Sequence, residues 1–268
     1  MTSLLRRPRP PDNRGCVLDI TPQNAGWTHV GTQIFRLSDG RRIAGGASDR
    51  ETCLVILSGV AEVTVDGRSF GRIGGRRNVF EDLAPGAIYV PAGAWFEVVA
   101  CGDVEIASCS APAHPGRAAR TIAPSEMSRE VRGRGTNTRY VRNILPESQP
   151  ADSLLVVEVI TPAGNWSSYP PHKHDSRVDG VETALEETYY HRVNPSQGFA
   201  FQRVYTDDRS LDETLCVHDG DLVLVPRGYH PVAAPHGYDL YYLNVMAGPQ
   251  RKWLFRNDPA HEWILQGS

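Results

Sequence analysis

Residues 85–95, PGAIYVPAGAW, return as residues 220–230, GDLVLVPRGYH. Set one on the other, Pro91 meets Pro226, Gly93 meets Gly228 and Trp95 meets His230, each at an offset of 135. Upstream, Glu51 and Thr52 open ETCLVILSG much as Glu187 and Thr188 open ETYYHRVNP, at an offset of 136. Two separate matches at nearly one offset indicate a duplicated unit. The boundary is expected in the polar, Arg-rich stretch around residues 120–145, which gives units 1–130 and 131–268.

Each unit reads as β-structure. Short runs of β-branched, aromatic and alternating residues, among them CLVILSG, AEVTVDG, WFEVVA, LLVVEVI, FAFQRVYT and YDLYYLNVMAG, are separated by glycine and proline turns. That punctuation predicts an all-β chain built as sandwiches or barrels. Helical periodicity is weak, and one short helix is expected at EMSREVRG, residues 126–133.

Bulk properties narrow the function. The 268 residues carry a net charge of −3, which offers no basic surface to nucleic acid. Arg6, Arg7, Arg9 and Arg14 are broken up by prolines and read as a solvated arm. No run approaches the ~20 apolar residues of a membrane span, and the N-terminus lacks the apolar core of a secretory signal. Five scattered cysteines without a CxxC pair point to free thiols and a cytoplasmic setting.

The repeat is most informative where it fails. His230 replaces Trp95, and the second half adds His172 and His174 in SSYPPHKHDSR, which have no counterpart in the first. In a strand, residues i and i+2 project to one face, so His172 and His174 would point together. With Glu187 at the start of a later strand and His230 after a Pro-x-Gly turn, three imidazoles and a carboxylate suit one divalent transition metal. Zinc is the first expectation, with manganese, iron and nickel open. The plainer reading makes PPHKHD an exposed turn; HxH alone is common, and the downstream glutamate and G-x5-P-x-G-x-H decide against it. Twelve residues separate His174 from Glu187, so Glu182 and Glu186 are rival ligands.

This order of ligands resembles the two cupin motifs, although cupins usually place three or four residues between HxH and the glutamate. The inserted loop is DSRVDGVETALE, and only Tyr229 separates Gly228 from His230. YPPHKHD, LEETYYHR, GFAFQRVYTDD, LVPRGYHPVAAPHGYDLYYLNVMAG, DPAHEW and, in the first half, GGRRNVFEDLAPGAIYVPAG are similar to the 5-deoxy-glucuronate isomerases of myo-inositol catabolism. The likeness extends to the 4-deoxy-5-ketouronate isomerases. It implies a bicupin, two tandem jelly-roll barrels, in which the first is degenerate and the second holds the metal. It also implies an aldose–ketose isomerisation between 5-deoxy-D-glucuronate and 2-deoxy-5-keto-D-gluconate through an enediolate.

Such chemistry needs a proton carrier and a grip on the far carboxylate. Tyr242 is the expected carrier, with Asn244, Lys173, Tyr229 and His191 as other candidates. Arg203 is expected to hold the carboxylate, with Arg251 and Arg177 as alternatives, and Lys173 and Tyr229 to contact substrate. His114, His218 and His236 have no partner at useful spacing, and Trp166, Trp253 and Trp263 read as core or interface. The rival classes are a cupin oxygenase, which would consume oxygen, and a sugar-acid sensor that binds without turnover. A homo-oligomer that takes a small sugar acid and neither nucleic acid nor membrane completes the expectation.

Overall fold

The computed structural model describes residues 3–266. They form an all-β chain whose α-helix is a single turn, Pro22–Ala25, closed by a capping box in which Thr21 and Asn24 exchange hydrogen bonds. The chain divides into two compact units. One comprises Pro8–Ser128 and Asn143–Val156; the other comprises Arg129–Arg142, Val157 onward and the N-terminal residues up to Arg7.

In the first unit a six-stranded sheet runs in the order Arg120–Ile122, Gly86–Val90, Arg50–Ser58, Val104–Pro112, Gly31–Leu37, Cys16–Ile20. A four-stranded sheet holds Arg42–Gly45, Phe96–Ala100, Val60–Val65 and Arg68–Gly74. Leu54, Ile56, Ile88 and Ile106 of the first sheet pack with Val63, Phe96 and Val98 of the second as one apolar core. Each such buried side chain contributes roughly 1.5–3 kcal/mol relative to exposure, so burial of these apolar side chains holds the two sheets together.

The second unit is built on a seven-stranded sheet in which Leu222–Val225, Glu186–Asn194, Asp239–Ala247, Leu155–Thr161 and Arg139–Leu145 are successive neighbours. Opposite lie Trp166–Ser167, Val232–Ala233, Phe199–Tyr205 and Asp212–His218. A two-stranded ladder pairs His172–Lys173 with Arg256–Asn257.

Two expectations are corrected. Residues 126–133 are not helical: a 3-10 turn, Pro124–Glu126, leads into the strand Ser128–Arg132 at the edge of the seven-stranded sheet. Met127 and Val131 would give a helix only a two-residue apolar stripe, whereas an edge strand needs only a neighbour's backbone. The second correction concerns the repeat. Thr52 lies opposite Val90, and Glu187 lies opposite Val225, so the sheets superpose Thr52 on Glu187 at the same offset of 135 as the Pro-x-Gly turns. Glu51 is one residue out of step, which puts its side chain on the other face of its sheet.

Candidate metal centre

Alternation sets the inner face of the second unit. Glu187, Tyr189 and His191 follow at every second position of Glu186–Asn194, and across the ladder they meet Met246, Asn244 and Tyr242. His172 is held by its pairing with Asn257, and His174 follows where its carbonyl accepts the Leu185 N–H at 2.9 Å. His230 comes after a turn that needs glycine: Gly228 has φ +88°, and a Cβ there would stand 2.4 Å from the Tyr205 carbonyl oxygen.

The structure brings the three histidines together. One ring nitrogen from each of His172, His174 and His230 lies within 4.8 Å of the others. Their side chains, with that of Glu187, are at most 8% exposed. A Glu187 carboxylate oxygen stands 3.1 Å from His174 Nε2 and 3.3 Å from His230 Nε2. The other carboxylate oxygen accepts a short hydrogen bond from the Asn244 amide.

The second nitrogens decide what this cluster wants. His230 Nδ1 is 2.8 Å from the Gly228 carbonyl oxygen and His174 Nδ1 is 3.3 Å from that of Leu185. A carbonyl only accepts, so each Nδ1 carries the proton and each Nε2 presents a lone pair. Two lone pairs then face one carboxylate oxygen, and buried His230 Nε2 has no hydrogen-bond partner. Such an arrangement needs a cation between the atoms, and the donor set of imidazole and carboxylate fits a divalent transition metal. Proton binding tells the same story. Burial pushes the His230 pKa down to about 4 and that of His172 well below its ordinary value. Burial also opposes a charge on His174, but the Glu187 carboxylate outweighs it and raises that pKa, so without a metal ion a proton on Nε2 would fill the place between the two groups.

Glu182 and Glu186 take other places. Glu182 accepts from the Asp175 and Ser176 N–H groups, each at 3.0 Å, and from the Ser176 hydroxyl at 2.8 Å, which fastens the inserted loop. Glu186 points to the opposite face from Glu187. Lys173 and Tyr229 are each one residue from a clustered histidine and are not brought into the cluster. Lys173 Nζ reaches Asp207 at 2.5 Å and Asp175 at 3.4 Å, and the Tyr229 hydroxyl donates to Asp207 at 2.8 Å. Arg203 is also elsewhere: Asp212 holds its guanidinium at 2.8 and 2.7 Å, and the group stacks on Tyr205 at 4.4 Å. Gln202, its neighbour, is the residue that faces inward, 2.9 Å from His191 Nε2.

Tyr242 does lie on the inner face, 4.9 Å from Tyr189 and 5.9 Å from His191 between ring centres. Burial raises its pKa, while its hydrogen bonds with Ser167 and Ser168 work against that rise. Tyr189 is closer to the histidines, 5.7 Å from the His230 ring, and its hydroxyl is 3.0 Å from Ser168 Oγ. Sequence reasoning passed over Tyr189, although counting two residues on from Glu187 finds it. Phe255, 4.5 Å from the His172 ring, carried no signal, because only the Arg256–Asn257 pairing brings it there.

Two all-β units on one duplicated plan, one packed with apolar side chains and the other enclosing a buried imidazole cluster, define a bicupin. An oxalate decarboxylase of Bacillus subtilis, a protein with Mn(II) centres, shares this fold with a TM-score of 0.64 over 96% of this chain and 80% of that one, at 13% identity. The chain belongs to the KduI/IolB family, whose model matches residues 4–264. The 5-deoxy-glucuronate isomerase of Geobacillus kaustophilus is 53% identical over 266 residues, 99% of this chain and 96% of that protein. An IolB-like protein of Salmonella typhimurium superposes with a TM-score of 0.95 at 52% identity, over 98% of this chain and 99% of that one.

Proposed function

We propose that this chain interconverts 5-deoxy-D-glucuronate and 2-deoxy-5-keto-D-gluconate, with one divalent metal, zinc first among the candidates, held by His172, His174, Glu187 and His230. The observation that carries the reading is the convergence of two imidazole lone pairs on one buried carboxylate oxygen. It occurs in a chain about half identical, end to end, to proteins named for that reaction. When bound, the ion supplies Lewis acidity that stabilises negative charge on the two adjacent oxygens of an enediolate.

The chain's own residues do the rest. Asn244 fixes the Glu187 carboxylate, and the Gly228 and Leu185 carbonyls fix the rings of His230 and His174. Tyr242 is the proposed proton carrier. Its phenolate takes the proton from the hydroxyl-bearing carbon beside the aldehyde and the phenol returns it to the former aldehyde carbon, while the hydroxyl proton passes to the former aldehyde oxygen, so the isomerisation balances without any co-substrate. Ser167 and Ser168 hold that hydroxyl in place. A cytoplasmic setting fits five free cysteines, and a homo-oligomer fits the exposed Trp263 and Leu265 of the C-terminal 3-10 segment. Among the described residues no helix is long and apolar enough to cross a membrane.

The test is NMR of the metal-loaded protein with 5-deoxy-glucuronate. Aldehyde-hydrate signals should decay as those of the 5-keto product grow, with no oxygen uptake. Oxygen consumption, or binding without conversion, would reject the isomerase reading.

A further inference from the structure

The isomerase substrate carries a carboxylate, and the arginine expected to hold it, Arg203, is bound to Asp212 instead. We propose that Arg139 receives the substrate's carboxylate, an inference that rests on the sugar-acid reading of the site. Three observations lead there.

The first is the face on which Arg139 lies. Arg142 donates to Glu158 at 2.8 Å, and the Tyr241 hydroxyl donates to the same carboxylate at 3.1 Å, so Arg142, Glu158 and Tyr241 share one face of the seven-stranded sheet. Tyr242 is one residue from Tyr241, and Arg139 is an odd number of residues from Arg142. Both therefore take the opposite face, the one that carries Glu187, Tyr189 and His191. The second is charge. Arg139 is half-buried, and its one hydrogen bond among the described residues goes to the Asn137 carbonyl at 3.1 Å. Arg142, three residues on, and Arg132 both have glutamate partners, whereas no carboxylate compensates Arg139. Buried guanidinium groups are rarely left unpaired, because desolvation then goes unrecovered. Burial accordingly lowers the Arg139 pKa, and its charge is felt at Tyr242, Tyr189 and His172.

The third is support. Gly133 makes room for the guanidinium, since a Cβ there would stand 2.8 Å from an Arg139 nitrogen. Asn165 pins the same turn by donating to the Thr138 carbonyl at 2.9 Å. The result is a planar, pre-set fork with free donors, suited to a carboxylate held at two oxygens.

The experiment compares wild type with Arg139→Gln, Arg139→Lys and, as a control away from the site, Arg203→Lys. Each is metal-loaded and checked for metal content. Turnover is measured with 5-deoxy-glucuronate and with its neutral primary amide, and binding is measured by calorimetry with D-glucuronate and D-glucuronamide. Arg139→Gln should raise KM for the acid by more than tenfold and abolish the preference for acid over amide. Arg139→Lys should keep part of that preference, and Arg203→Lys all of it. Equal losses on acid and amide in Arg139→Gln would show a merely structural role and overturn the proposal, as would unchanged acid binding. If wild type binds D-glucuronate in preference to its amide but does not convert 5-deoxy-glucuronate, the isomerase reading fails. Arg139 is then decided by the binding preference alone. A wild type with no such preference overturns Arg139 even if it turns over.

Discussion

The inner faces of the two units differ position by position. In the first, Thr52, Leu54 and Ile56 lie opposite Ser110, Ser108 and Ile106; in the second, Glu187, Tyr189 and His191 lie opposite Met246, Asn244 and Tyr242. One ladder leads from small hydroxyls into a packed aliphatic core, and the other leads from a carboxylate into tyrosine, amide and imidazole. The rim tells the same story, because Trp95 is 58% exposed where His230 is fully buried. A duplicated hairpin thus supplies the frame, and alternate side chains on two strands decide whether it holds a core or a reaction. The comparison predicts that substitutions at the polar positions abolish chemistry with little loss of fold, and that those in the first unit do the reverse.

Glu187→Gln and His230→Ala should have the largest effect. Each removes a proposed cation ligand, so metal content should fall from one per chain to near zero and turnover by at least ~100-fold. Added metal should raise the melting temperature of wild type and not of either variant, since a ligand stabilises only what binds it. A variant that kept full metal and activity would break the contrast between the units.

Tyr242→Phe should come next, with a loss of ~100-fold or more at unchanged metal content, in the range expected for a positioned proton carrier. The sign of the pH dependence follows from its raised pKa. The abstracting phenolate is the minor form at neutral pH and its fraction grows as pH rises, so wild-type kcat/KM should climb with pH through the neutral range. In Tyr242→Phe that slope should vanish. A wild-type profile that is flat from pH 6 to 9 would assign the proton to another group. Asn244→Ala should cost less, ~10–100-fold in metal affinity, because it frees the Glu187 carboxylate without removing a ligand.

Much of this contrast is legible in the sequence, for physical reasons that also mark where legibility ends. Pro-x-Gly turns and β-branched runs are local signals, so the duplicated strands and the gathering of His172, His174 and His230 can be read from spacing. Which face a side chain takes depends on a single residue of register. The dipeptide Glu-Thr opens both ETCLVILSG and ETYYHRVNP, yet the pairings superpose Thr52, not Glu51, on Glu187. Lys173, Tyr229 and Arg203 mislead in the same way, each being one residue from an inward-facing side chain. Arg139 gives no local signal, because its position depends on strand neighbours distant in sequence.

Glu51→Gln should have the smallest effect on catalysis. Its carboxylate is fully buried and has only donors around it: the Tyr89 hydroxyl at 2.7 Å and the N–H groups of Asp152, Ser153 and Leu154 at 2.8, 2.7 and 2.7 Å. Ser153 and Leu154 share one oxygen, while Tyr89 and Asp152 share the other. An amide can keep the first pair, and the Tyr89 hydroxyl can rotate to accept, but the new NH2 group would face the Asp152 N–H, donor against donor. One buried donor left unsatisfied costs about 1–3 kcal/mol, a fall in melting temperature of several degrees for a unit of this size. Metal content and kcat should stay within a factor of two of wild type. Lost metal in Glu51→Gln would mean that this carboxylate serves the histidine cluster after all. An unchanged melting temperature would mean that water replaces the missing acceptor, which four donors packed around a fully buried carboxylate leave little room to allow.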